Sequence, residues 1–160
     1  MIRSALASDA QALADIYNPF ILGTTITFEE TAVTPEEMAA RIGTVMTANP
    51  WLVLEVQGAV AGYAYATPWK ARSAYRRTVE GAIYVSPAHA GQGLGTRLYG
   101  ALLAELQQLG VHAVLGGIAL PNEASVALHE RLGFEQVGRL REVGWKLQRW
   151  VDVGYWEKRL

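Results

Sequence analysis

The stretch Ile83-Tyr84-Val85-Ser86-Pro87-Ala88-His89-Ala90-Gly91-Gln92-Gly93-Leu94-Gly95-Thr96 carries a strand into a glycine-rich turn, and the turn into a helix. The first turn of a helix leaves free N–H groups pointing outward, and the helix dipole adds to their pull on an anion. Glycine at 91, 93 and 95 lets a phosphate reach the backbone with no Cβ in the way. The chemistry on offer is therefore a diphosphate cradle; the plain alternative is a tight turn that merely needs glycine. Just upstream, Glu80 sits among Thr78, Val79, Ala82, Ile83 and Val85. Such neighbours desolvate a carboxylate and raise its pKa toward the working range of a general base. Its plain alternative is a glutamate on the polar side of a strand.

Other cradles fit less well. The loop does not follow the first strand and lacks the G-x-G-x-x-G spacing of a dinucleotide fold. No Gly-Lys-Ser/Thr follows, so it is not a P-loop. Lys70, Arg72, Arg76 and Arg77 cluster before Glu80, where an arginine could grip a carboxylate-bearing ligand. The three histidines, His89, His112 and His129, are scattered and suggest no metal site.

Composition narrows the class. The chain has 160 residues, half of them apolar, with a formal net charge of −1. That suits one domain, 1–160, around a sizeable core. It offers no basic stripe for nucleic acid or for an anionic membrane. With no cysteine there is no disulfide, thiolate metal site or cysteine nucleophile, which fits a cytoplasmic setting. Residues 1–9 have no signal-peptide anatomy, and no apolar run approaches the roughly 20 residues of a membrane span.

The elements that must position these groups follow from pattern. Residues 2–6 predict a strand. Ser8 and Gln11 have capping-box spacing for a helix that reaches Tyr17, where Asn18-Pro19 is expected to interrupt it. Thr24 to Phe28 reads as extended. Thr34-Pro35-Glu36-Glu37 opens a second helix carrying Met38, Ile42 and Val45 inward. Strands at 51–56 and 60–65 flank Gln57-Gly58 as a hairpin. A strand at 78–85 precedes the loop, a helix runs 94–109, and an apolar strand covers 111–120. Asn122 caps a helix to Leu132, and strands at 134–141 and 150–158 close the chain. Strand–helix–strand units need parallel pairing and the hairpin needs antiparallel pairing. The fold class is α/β, a mixed sheet with helices on its faces.

The loop resembles the pyrophosphate-binding motif of the GNAT superfamily, R/Q-x-x-G-x-G/A, through Ala90-Gly91-Gln92-Gly93-Leu94-Gly95. Ala90 departs from its first position, which implies weakened CoA affinity, with Gln92 placed to compensate. The resemblance covers nearly the whole chain and narrows to the phosphinothricin and methionine sulfoximine acetyltransferase branch. Pro50-Trp51-Leu52-Val53, Pro68-Trp69-Lys70-Ala71-Arg72, Ala74-Tyr75, Thr78-Val79-Glu80, Leu128-His129-Glu130-Arg131-Leu132-Gly133-Phe134 and Asp152-Val153-Gly154-Tyr155-Trp156 carry it.

The resemblance implies a mostly antiparallel sheet with one parallel pair. It also implies acetyl transfer from acetyl-CoA, with no metal, to the α-amino group of phosphinothricin, methionine sulfoximine or methionine sulfone. Glu80 matches the family's catalytic glutamate, and His129 stands where a proton donor for the leaving thiolate is expected. Ile83, Tyr84 and Val85 match the strand that holds the pantetheine arm and the thioester oxygen. Gly91, Gln92, Gly93, Leu94, Gly95 and Thr96 would hold the diphosphate, and Asn122 and Ser125 would contact CoA further along. Arg72 with Tyr75, and Phe28 with Glu29, are expected around the acceptor, with Lys146 as a further anion contact. A homodimer through the tryptophan-rich C-terminal strands is also implied. The alternatives are a GNAT enzyme for another amine or a peptide N-terminus, or an acyl-CoA-binding module without turnover.

Overall fold

The computed structural model describes residues 1–160. Seven strands form one sheet: β1 (Ile2–Ser4), β2 (Trp51–Val56), β3 (Ala59–Pro68), β4 (Thr78–Val85), β5 (Ala113–Leu120), β6 (Glu135–Lys146) and β7 (Arg149–Arg159). Their spatial order is β1-β2-β3-β4-β5-β7-β6. Every neighbouring pair is antiparallel except β4 and β5, which are parallel. Parallel neighbours need a long crossover. Here it contains helix α3 (Leu94–Gln108), so the glycine loop lies at the end of β4.

Alternation along the strands feeds two cores. Leu52 and Leu54 of β2 pack with Val79, Leu98, Leu102, Val114 and Trp156 beneath α3 and α4 (Glu123–Arg131). Trp51 and Val53 point the other way, to Leu13, Ile21, Met38 and Ile42 of α1 (Ala10–Gly23) and α2 (Pro35–Val45). A sheet covered on both faces explains why residues 51–54 are all apolar.

Several expectations need correction. Asn18-Pro19 does not interrupt the first helix, which runs through Pro19 to Gly23. Proline in a helix interior costs about 3 kcal/mol or more. Burial of Ile16, Tyr17 and Ile21 on one side of the helix offsets it. Asn18 turns its amide outward to pin Val33 through both backbone groups. At the start of this helix no Ser8–Gln11 box forms. The Asp9 carboxylate accepts from the Leu6 N–H at 2.7 Å and is gripped by Arg3. Thr24 is extended, as its residue type suggests, and residues 25–28 follow as an irregular loop.

The last two strands are longer than their patterns suggest. They meet in a tight turn at Leu147-Gln148, both with positive φ. Neither residue is a usual left-handed turn former, which hid the turn from sequence. The hairpin at Gln57-Gly58 has positive φ at both positions, as expected of its turn class.

Candidate active site

β4 and β5 pair only from Thr78–Ala113 to Glu80–Leu115 and then diverge. A split opens in the middle of the sheet. Trp69 N–H donates to the Thr78 carbonyl, and Ser86 N–H donates to Ala61. The unbroken β3–β4 register then turns the backbone of the even-numbered residues toward β3. Ile83 and Val85 therefore face the opening with their N–H and C=O groups, while Tyr84 pairs with β3. The Tyr84 ring packs against Tyr17 and Phe20 on the α1 side.

The split holds a cavity of about 240 Å³ that reaches both faces of the sheet. Glu80, Tyr65 and Thr67 line it from the α1–α2 side, and Asn122, Ser125 and His129 from the α3–α4 side. Glu80 has no salt-bridge partner. Burial pushes its carboxyl above the ordinary range, and the charge of Lys70 partly opposes this. His129 is buried at 4% exposure. Its Nδ1 lies 2.7 Å from the Ser125 carbonyl, an acceptor only, so Nδ1 carries the proton. Burial lowers the His129 pKa, with the Ser125 bond opposing. The ring is neutral at rest and presents a bare Nε2 toward Gly116 of β5.

At the end of β4 the chain enters the glycine loop. Gly91 and Gly93 have φ of +75° and +72°, and nothing lies within 4 Å of where their Cβ atoms would be. Glycine is required there by backbone conformation, and the space above is open. Gly93 is the N-cap of α3, so the helix's free N–H groups face a cavity of about 340 Å³. Gly95, Thr96, Val85 and His89 border it, as does Arg131, reaching over from α4.

On the opposite side of Glu80 lies a third cavity, about 360 Å³ and mostly apolar. Its walls are Ile26 and Phe28 from the loop after α1, and Leu140, Val143, Val153 and Tyr155 from the C-terminal hairpin. That loop is tied from two sides. The Tyr17 hydroxyl meets Thr27 Oγ1 at 2.7 Å and also bonds to Glu29. Arg41 grips Glu29 with two bonds. From the hairpin, Lys146 Nζ donates to the Thr27 carbonyl at 2.7 Å, and Arg149 donates to Thr25 Oγ1 at 3.0 Å.

This arrangement has counterparts among known proteins. The sequence pattern of the acetyltransferase (GNAT) family matches residues 13–134. Over 98% of its length the chain is 46% identical to a phosphinothricin N-acetyltransferase of Streptomyces viridochromogenes, covering 86% of that protein. The chain belongs to the GNAT acetyltransferase family. It is 36% identical, over 99% of its length and 94% of the relative's, to the L-methionine sulfoximine/L-methionine sulfone acetyltransferase of Salmonella typhimurium. The crystal structure of a phosphinothricin acetyltransferase from Sinorhizobium meliloti in complex with acetyl-CoA superposes with a TM-score of 0.96 at 37% identity, over all of this chain and 88% of that one.

This GNAT enzyme is an acetyl-CoA-dependent N-acetyltransferase. Its residues fit that co-substrate. The loop and α3 offer free amides to a diphosphate, and the split offers the Ile83 and Val85 backbone to an extended arm.

Of the residues singled out from sequence, Glu80, Ile83, Tyr84, Asn122, Ser125 and His129 come together around the split. Val85, Gly91, Gly93, Leu94, Gly95 and Thr96 border the loop cavity. Gln92 is exposed and does not line it. Phe28 is a wall of the apolar cavity, whereas Glu29 is engaged by Tyr17 and Arg41 and stays outside. Arg72 and Tyr75 are exposed, the guanidinium lying 5.8 Å from the Tyr75 ring centre, and neither lines a cavity beside Glu80. Lys146 is buried and holds the Thr27 carbonyl, so it is not a free anion contact.

Sequence reasoning missed Tyr155, Leu140, Val143, Arg131 and the pair Gly116-Gly117. Two glycines inside an apolar strand signal a close approach, and only that pair had a legible cue.

Proposed function

We propose that this enzyme acetylates the α-amino group of a small amino-acid-like acceptor, of the phosphinothricin, methionine sulfoximine or methionine sulfone type, with Glu80 as general base. The observation that carries this reading is a half-buried carboxylate, Glu80, free of any ion pair, on the wall between the apolar cavity and the split. The relatives that act on such acceptors support the substrate class.

Acetyl-CoA brings a thioester carbonyl to the split from the α3–α4 side. The acceptor enters from the other face, its body against Phe28, Val143 and Tyr155. An amine attacks only when neutral, and α-amino groups are largely protonated near pH 7. Glu80 removes that proton through a bridging water. The N–H of Ile83 or Val85 stabilises the carbonyl oxygen as it gains charge. His129 protonates the departing sulfur. Because its Nδ1–H is committed to Ser125, its Nε2 takes the proton that the nitrogen sheds as the C–N bond forms and passes it to the sulfur as the C–S bond breaks.

The whole chain, 1–160, acts as one acetyltransferase domain in this reading, and the protein works in the cytoplasm as a homodimer. Exposed Val137, Leu140, Val143, Trp145 and Trp150 on the C-terminal hairpin support the dimer.

The test is thiol release from acetyl-CoA with methionine sulfoximine, methionine sulfone, phosphinothricin, ordinary amino acids, spermidine and a short peptide as acceptors. Saturable turnover confined to the methionine and glutamate analogues is expected. Faster turnover of the peptide or of spermidine would overturn the substrate class.

The loop cavity carries a separate prediction. Ala90 offers no charge there, and Arg131 is the cation that borders the cavity. Arg131→Ala is expected to raise KM for acetyl-CoA about tenfold, or about 1.4 kcal/mol, with kcat within a factor of about two. Steady-state kinetics at saturating acceptor measure it.

A further inference from the structure

Gly116 and Gly117 sit in the interior of β5, where glycine costs roughly 0.5–1 kcal/mol relative to alanine. Neither residue has a positive φ or lies in a turn, so the backbone does not demand glycine. Close approach does. Consecutive strand residues face opposite sides of a sheet. On the α3–α4 side, a Cβ at Gly116 would come 2.5 Å from His129 Nε2 and 2.7 Å from its Cδ2. On the other side, a Cβ at Gly117 would come 2.9 Å from Glu80 Oε1 and 3.3 Å from Tyr155 Cε1. One step of β5 thus seats one ionisable group on each face, beside the point where the sheet splits.

We propose that Gly117 is a positioning residue: its bare α-carbon is the floor on which the Glu80 carboxylate rests, aimed at the acceptor amine. This rests on the reading of Glu80 as base.

The two glycines differ in what an added methyl would do. At Gly116 it meets a buried imidazole ring that α4 holds in place, so the fold itself would suffer. At Gly117 it meets the end of a flexible side chain and the edge of one ring. Glu80 can swing away at little cost, so Gly117→Ala should fold and should lose alignment rather than stability.

Expected for Gly117→Ala is a loss of kcat of roughly 10²-fold, the scale of a misplacement of about 1 Å at a reacting centre. The KM for acetyl-CoA should stay within a factor of about two and the melting temperature near wild type. The acid limb of kcat/KM should move to lower pH as the carboxylate leaves its buried seat. In a Glu80→Gln background the same alanine should cost less than about twofold more, because the residue it acts through is gone.

Wild-type kcat in Gly117→Ala, or an equal loss in both backgrounds, overturns the proposal while leaving Glu80 as base. Full turnover by Glu80→Gln overturns the base assignment and this proposal with it. If Gly117→Ala melts early, Glu80→Asp serves instead: it withdraws the carboxylate from Gly117 by one methylene, should lose kcat comparably, and overturns the proposal if it does not.

Discussion

Glu80→Gln is expected to lower kcat by roughly 10²–10⁴-fold, the range of a positioned general base, with little change in the KM for acetyl-CoA. The amide keeps the shape of the carboxylate but cannot take a proton. A structural glutamate would show a different pattern, losing stability with activity. Here the sign of the stability change is itself diagnostic. Burial raises the folded-state pKa of Glu80 above its unfolded value. Such a group favours folding below its unfolded pKa, and that contribution disappears as pH rises through the folded pKa. At pH 8 the buried charge is a cost that the Gln variant lacks. The variant should therefore melt no lower than wild type at pH 8, and this advantage should shrink toward pH 4. Thermal melts across that range, beside kinetics at each pH, measure both halves.

The same raised pKa fixes the activity profile. Wild-type kcat/KM should fall as pH drops through a midpoint above the ordinary carboxylate range, and Glu80→Gln should lack that limb. Mutating Lys70, which opposes the burial effect, should move the limb to higher pH. Burial lowers the His129 pKa from its ordinary value, against the Ser125 bond, so any limb it sets lies below that value.

What was legible in the sequence was local. Apolar alternation located the strands around Leu52, Val79 and Val114, and the glycine loop announced the helix that follows it. Glu80 stood out because its neighbours are strand formers that strip away water. The apolar cavity beside Glu80 was hidden because it is built across long sequence separations. Thr27 meets Lys146, and Phe28 meets Gly144, more than a hundred residues away. A cluster such as Lys70, Arg72, Arg76 and Arg77 looks like a grip for a carboxylate when read along the chain. In three dimensions Arg72 lies over Tyr75 in solvent, and the cation that acts on Glu80 is Lys70. Pro19 misled for a related reason: its penalty is local, and the burial of Ile21 that offsets it is tertiary.

Gly144→Ala is expected to raise the KM for the acceptor about tenfold, equivalent to about 1.4 kcal/mol, without altering the KM for acetyl-CoA. The Phe28 ring lies directly against the Gly144 α-carbon, and an added methyl would overlap three ring carbons. Gly144 does not have a positive φ, so alanine imposes no backbone strain and the effect falls on the ring. Phe28 cannot retreat with its backbone, because Lys146 holds the neighbouring Thr27 carbonyl and Tyr17 and Arg41 hold Glu29. The ring must rotate about its own side-chain bonds, and a turn toward the cavity it walls narrows that cavity. There it takes space from an acceptor whose cavity is only about 360 Å³. The glycine-loop cavity lies on the other face of the sheet and shares no lining residue with it. Steady-state kinetics with each substrate varied in turn separate the two. A rise confined to the acceptor KM places Phe28 in contact with the acceptor, whereas an unchanged acceptor KM would move the acceptor out of that cavity.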